Sequence, residues 1–317
     1  MDLILEGEDE DIIEGADALI GQVIDDRYEL QRVLAVGAAG AVFEARHVAL
    51  GRRLALKLMR RQADVATDRD VRRRVRVEAE TLARLAHPNI VAVFDVGLWR
   101  GQSFFVMELL DGLTLSGLMR HIGPIPLKRL LPLARQICRA LDATHSAGVI
   151  HRDLKPSNVM IVRADGEDVV KLVDFGVAKD LRAVTRHTLQ GAMLGTPKYM
   201  APEQIVDDAG PVGPAADLYA LGAILYRAVI GRGVFPGLRG VQQLVAHVRQ
   251  EPPGFDVARP GHGLPGRFER AVLRCLAKRP EDRFPSAMAL DAELAAIEDE
   301  LGGARRGGAA PGRAVVP

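Results

Sequence analysis

The chain changes its hydrophobic period once, near residues 108–112, and that change limits its fold more than any other feature. Before it, residues 28–34 alternate apolar and polar, and residues 41–45 and 53–58 follow after turn signals. Residues 91–96 and 103–108 read as two more strands. One helix rich in Arg and Glu, roughly residues 68–85, interrupts them. Beyond residue 112 the periods are helical: residues 126–145 and 215–230 repeat apolar side chains every three to four positions. A strand-rich lobe of about 80 residues joined by a hinge to a helical lobe of about 190 is an α+β arrangement. The lobes are expected at 27–108 and 112–300, the first small and β-rich with one helix, the second larger and α-helical.

Composition narrows the class. The 317 residues are 48% hydrophobic, enough for two lobes with cores of their own, and only 4% aromatic, so aliphatic side chains carry the packing. A net charge of +1 gives no global field that would draw nucleic acid or a membrane. Cys138 and Cys275 stand far apart in aliphatic helical runs, a pattern of buried small hydrophobes rather than of a disulfide or zinc framework. No apolar run approaches the roughly 18 residues that span a bilayer. The start Met1-Asp2-Leu3 has no basic region of the secretory kind, so a cytoplasmic location is expected.

Charge is unevenly placed. Residues 1–26 hold ten acids and no Lys or Arg; 31 acids and 42 bases remain, so residues 27–317 carry +11. The arm reads as a solvated, disordered leader, with docking on the basic body as the sharper alternative. Residues 301–317, mostly Gly, Ala, Arg and Pro, read as a disordered tail.

Several constellations carry chemistry. Gly37 and Gly40, set among alanines between the first two strands, allow backbone N–H groups to approach a phosphate. Lys57 lies in the apolar strand Leu54-Ala55-Leu56-Lys57, where its charge needs a partner. Glu78 on the following helix is the natural one; Glu80 points about 200° around that helix. His151-Arg152-Asp153-Leu154-Lys155-Pro156-Ser157-Asn158 is too polar to fill a core. Its Asp153 and Asn158 can set a carboxylate at an attacking hydroxyl and an amide oxygen on a metal. Asp174-Phe175-Gly176, at the end of strand 169–173, suits a metal ligand on a mobile segment.

Taken together, Gly37-x-x-Gly40-x-Val42, Lys57, Asp153 to Asn158, Asp174-Phe175-Gly176 and Ala201-Pro202-Glu203 resemble the eukaryotic-type (Hanks-type) serine/threonine protein kinases in order and spacing. The likeness covers about residues 28–297 and looks strongest to the bacterial members. It implies a bilobal protein kinase fold and transfer of the ATP γ-phosphate to Ser/Thr hydroxyls of proteins, itself included. It implies ATP as substrate and Mg²⁺ or Mn²⁺ as cofactor.

The resemblance also implies roles. Lys57 would hold the α- and β-phosphates and pair with Glu78; Asp153 would take the hydroxyl proton; Lys155 would neutralise the γ-phosphate; Asn158 and Asp174 would bind the two metal ions. Met107 would guard an adenine pocket walled by Val42, Ala55 and Met160. Backbone groups of Glu108 and Leu110 would bond the adenine edge, and Asp111 would reach the ribose. The glycine loop departs from the family pattern at Ala35, where the first glycine is expected. Glu203 would pair with Arg283, Asp217 would hold the catalytic-loop backbone, and Leu82, Val93, His151 and Phe175 would stack.

Lys155 and the run Gly195-Thr196-Pro197 point to serine/threonine rather than tyrosine as acceptor. Arg74, Arg152 and Lys179 would converge on a phosphorylated activation-loop residue, Thr188 or else Thr185, modified in trans through transient homodimers. Partners are then protein substrates, not nucleic acid or membrane. The alternative is a pseudokinase, a nucleotide-binding scaffold on the same fold; Lys57, Asp153, Asn158 and Asp174 are all present against it.

Overall fold

The structure is a computed structural model that describes residues 15–37, 40–60, 81, 85–175 and 197–303. The first lobe is a six-stranded antiparallel sheet of β1 (Val23–Ile24), β2 (Tyr28–Gly37), β3 (Gly40–His47), β4 (Arg53–Met59), β5 (Val93–Trp99) and β6 (Gln102–Met107), ordered β1-β2-β3-β4-β6-β5. Leu54, Leu56 and Leu58 on β4 bury against Phe43, Phe104 and Val106, which makes the inner face of this sheet one core. Ala55, between those leucines, belongs to a second cluster with Val91 and Met107 on the opposite face. Strand β4 is therefore apolar on both sides, as central strands are.

Residues 108–111 leave β6 and lead into β7 (Gly112–Thr114), so the change of period falls where the lobes join. The Thr114 hydroxyl accepts the Gly117 N–H at 2.9 Å and caps α1 (Leu115–Ile122). Helix α2 (Leu127–Ser146) follows, and then β8 (Val159–Ala164) and β9 (Glu167–Leu172) pair with β7 in a three-stranded sheet. The short α3 (Pro202–Ile205) precedes α4 (Pro214–Ile230). Helix α4 buries nearly its whole circumference, which marks it as the axis of the large lobe. It opens on Pro214 and stops at Gly231, whose left-handed φ of 87° lets its N–H close on the Arg227 carbonyl. Helices α5 (Gly240–Arg249), α6 (Phe255–Ala258), α7 (Gly266–Cys275) and α8 (Ala287–Gly303) complete the lobe. Cys138 and Cys275 are free and buried, as their aliphatic surroundings predict.

Two expected boundaries are corrected. The arm expected to stay disordered to Asp26 is folded from Gly15: Ala16 and Ile24 are buried in the small-lobe core, and β1 pairs with β2. Asp25 and Asp26 sit at φ 52° and 55° while Arg27 N–H closes on the Ile24 carbonyl, a tight turn that aspartates tolerate. Counting acids hid the few apolar residues that anchor this segment. At the other end, Leu301 belongs to α8 and packs on the large-lobe core, so the tail starts later than residue 301. Among the described residues no helix is long and apolar enough to cross a membrane.

Candidate active site

The strand register assembles one side of the cleft. Ala35 pairs with Val42, Val42 with Lys57, and Lys57 with Phe105, so four strands contribute one row. Ala55 pairs with Met107 one step along. Ala55 and Met107 pack with Leu34, Val42, Leu110 and Val173, a set of apolar walls drawn from both lobes. Met160 comes from β8 in the large lobe and is half-buried; Asp111 is exposed at the cleft's edge. The Glu108 N–H is spent on the Ala92 carbonyl at 3.0 Å, which leaves its carbonyl as the group for an adenine edge.

The catalytic loop hangs from Asp217 on α4. Its carboxylate is buried and accepts the N–H groups of His151 and Arg152, each at 2.8 Å, and meets His145 Nε2 at 2.8 Å. His151 has no exposed surface and stacks on Phe175 with ring centroids 4.6 Å apart. Burial holds its pKa below the usual histidine value, although Asp217 and Asp153 pull the other way. Arg152 and Asp174, neither of them glycine, both adopt left-handed backbone with φ of 58°. Such conformations are uncommon, and they fall here on the two segments that carry the loop and the strand end.

Within that frame the expected residues converge. Lys155 Nζ lies 3.3 Å from Asp153 Oδ2. The Asn158 amide nitrogen donates to the Asp153 carbonyl at 2.9 Å, and the Val173 N–H donates to the Asn158 carbonyl at 3.0 Å. Lys57 Nζ pairs with Asp174 Oδ1 at 2.8 Å, which joins the two lobes across the cleft. Glu78, Arg74, Lys179, Thr185, Thr188, Leu82 and Gly176 lie outside the described residues.

The donor set suits Mg²⁺. Asp174 and Asn158 offer hard oxygens, the class that ion takes. Because Asn158 turns its nitrogen to Asp153, its amide oxygen remains for a cation; among the described residues the Ser157 hydroxyl approaches it at 3.5 Å.

Two long-range expectations hold. Arg283 bonds Glu203 twice, at 2.6 and 2.8 Å, with both side chains wholly buried. Its other protons go to the carbonyls of Ala215, Ala277 and Lys278. A buried bidentate pair needs this full satisfaction to persist. Asp217 holds the loop backbone as described.

One feature of the cleft went unread in the sequence. Lys171 on β9 pairs with Glu108 at 2.7 Å, and the same carboxylate oxygen accepts the Ala92 N–H at 2.9 Å. Val91 N–H bonds the Leu172 carbonyl, and Leu172 N–H bonds the Asn89 carbonyl. The hinge is thereby tied to the strand that leads to Asp174. Lys171, like Lys57, is a lysine in an apolar strand and on that ground needs a partner.

A strand-rich lobe and a helical lobe closing on a lysine, two aspartates and an amide define a two-lobed kinase fold. The chain belongs to the protein kinase domain family, whose pattern matches residues 28–294. It is 36% identical over 275 residues to serine/threonine-protein kinase PknB of Mycobacterium leprae, covering 86% of this chain and 43% of that protein. It is 38% identical over 280 residues to serine/threonine-protein kinase Pkn1 of Myxococcus xanthus, covering 88% of this chain and 39% of that one. The chain thus spans about two-fifths of the length of these curated relatives. The crystal structure of the Mycobacterium tuberculosis PknI kinase domain superposes with a TM-score of 0.68 at 28% identity, over 89% of this chain and 98% of that domain.

Proposed function

We propose that this chain transfers the γ-phosphate of ATP to serine and threonine hydroxyls of proteins, itself included. The observation that carries the reading is the convergence of Asp153, Lys155 and Asn158 on one loop, facing a Lys57–Asp174 pair 2.8 Å apart across the cleft. Asp153 accepts the proton of the acceptor hydroxyl and holds it in line. Lys155, beside it, balances the charge that gathers on the transferred group. Lys57 holds the inner phosphates, and the apolar walls around Ala55 and Met107 take the adenine. A divalent cation held by Asp174 and Asn158 would neutralise phosphate charge and orient the triphosphate.

Lys57 and Asp174 pair directly here, so nucleotide and cation have to compete with that contact when they enter. Phosphorylation of Thr188, or failing that Thr185, is the activating event we favour, with Arg152, Arg74 and Lys179 as the charges that receive it.

The test is transfer from radiolabelled ATP to dephosphorylated casein by the wild type and by Asp153→Asn, with mass spectrometry of both proteins. We expect loss of transfer by a factor of at least about 100 in the variant, equal to about 2.7 kcal/mol of barrier. Thr188 or Thr185 should carry phosphate in the wild type only. A wild type that binds ATP and never transfers it would replace this reading with a nucleotide-binding scaffold.

A further inference from the structure

The large lobe holds a buried polar network outside the catalytic set. His247, near the end of α5, has no exposed surface. Its Nδ1 meets the Tyr219 hydroxyl at 2.9 Å. Its Nε2 faces the Gln243 amide oxygen at 3.0 Å, with the amide nitrogen donating to the Leu238 and Phe235 carbonyls at 3.0 and 3.2 Å. An oxygen there requires the proton on Nε2, so Nδ1 accepts from the Tyr219 hydroxyl. Lys278 donates to the His247 carbonyl at 3.0 Å and lies over the Phe235 ring, 5.1 Å from its centroid. Burial and the Lys278 charge push the imidazole down to about 4, so it is neutral at working pH. The Lys198 backbone, close to the ring, pulls its pKa the other way.

The packing of α5 on residues 197–199 gives the network a direction. Lys198 lies in the turn Pro197–Tyr199, on which α5 packs. The next residues, Tyr199 and Met200, line a pocket with Arg152, Asp153 and Lys155. The segment is fixed at its far end by the Glu203–Arg283 pair, and Arg283 lies over the Tyr219 ring at 5.0 Å. Tyr219 therefore touches both anchors of one stretch of backbone that flanks the catalytic loop. A leucine would fill the His247 position at lower desolvation cost, but its side chain would bond neither Tyr219 nor Gln243.

Resting on the kinase function proposed above, we infer that His247, held by Tyr219 and Lys278, is a positioning residue for the protein acceptor. It fixes residues 197–200 beside Asp153, on the side of the cleft away from the adenine walls. The nucleotide side makes no use of it. Loss of the anchor should therefore separate the two substrates.

The experiment compares wild type, His247→Ala and Tyr219→Phe with casein as the probe acceptor. We expect the casein KM to rise about tenfold in His247→Ala and about threefold in Tyr219→Phe, with the ATP KM within about twofold of wild type in both. Hydrogen exchange at residues 197–204 reads the anchor without turnover. It should quicken there and stay unchanged at residues 151–158. Equal rises in both KM values, or an unchanged casein KM with unchanged exchange, would overturn the proposal. If His247→Ala fails to fold, Tyr219→Phe decides by the same two readouts. A wild type that transfers nothing to casein refutes the kinase reading, while exchange at residues 197–204 still decides whether the anchor exists.

Discussion

Gly37 and Gly40 face each other across β2 and β3, yet each is glycine for a different reason. Gly40 has φ +152°, and a Cβ there would stand 2.1 Å from the Leu58 carbonyl oxygen. That oxygen is backbone of the neighbouring strand, so no rotamer relieves the clash. Gly37 meets nothing within 4 Å. Gly40→Ala is expected to cost about 1–3 kcal/mol of stability, seen as a lower urea midpoint. Gly37→Ala should keep the midpoint and raise only the ATP KM, because its methyl stands where phosphate approaches. Ala35, half-buried opposite Val42, needs no special backbone. Its change to Gly should move the ATP KM by less than about tenfold, or about 1.4 kcal/mol. Equal midpoint losses at Gly37 and Gly40 would contradict the division.

At the scale of elements, the segment before β2 is the part that most changes the picture. Val23 and Ile24 add a strand to the sheet edge, Gly21 N–H bonds the Leu30 carbonyl, and Leu30 N–H bonds the Gln22 carbonyl. Tyr28 donates to Asp95 at 2.7 Å and Arg27 pairs with Asp95 at 2.8 Å, which fastens the turn to β5. Deleting residues 1–27 should therefore cost about 2–4 kcal/mol through lost burial of Ile24 and Ala16. Deleting residues 1–14 removes none of these contacts and should leave the melting temperature within a degree or two. Equal melting temperatures for the two deletions would mean the added strand contributes nothing.

This segment also shows where sequence reading runs out. The strands at 28–34, 41–45 and 53–58 were legible because each repeats its pattern over five or more residues. A two-residue strand has no period to read. Glu203 and Arg283, 80 positions apart, were legible through the family motif and not through spacing. Lys171 with Glu108, and His247 with Tyr219, lie in segments whose local patterns are ordinary helix and strand. Their partners appear only when the chain folds. The catalytic residues were the easiest to find because polar side chains on an otherwise apolar background need a chemical reason.

Across the whole molecule, buried histidines set the acid limit. His151 and His247 have no exposed surface, and burial lowers the pKa of both, His247 to about 4. An unfolded histidine titrates near about 6.5. Between about pH 6.5 and 4 the unfolded chain therefore binds more protons than the folded one, and stability falls as pH falls through that window. For His247 alone the loss approaches about 3 kcal/mol. Lys278 acts elsewhere on the scale: burial pushes it to about 8. Its charged form is disfavoured equally throughout the acid window, and the penalty lifts only as pH rises above 8. Carboxylates held low by arginines, such as Glu44 beside Arg53 and Asp168 beside Arg129, lose their contribution at still lower pH. The urea midpoint should thus decline between pH 7 and 5, before the carboxylates titrate. In His247→Gln the midpoint at pH 7 is lower because the imidazole's bonds to Tyr219 and Gln243 are lost. Its decline between pH 7 and 5 should nonetheless be shallower than in the wild type, by up to about 2 kcal/mol. Parallel declines in the two proteins would show that His247 titrates normally in the fold, and that the Tyr219–His247–Gln243 bonds do not hold the ring neutral.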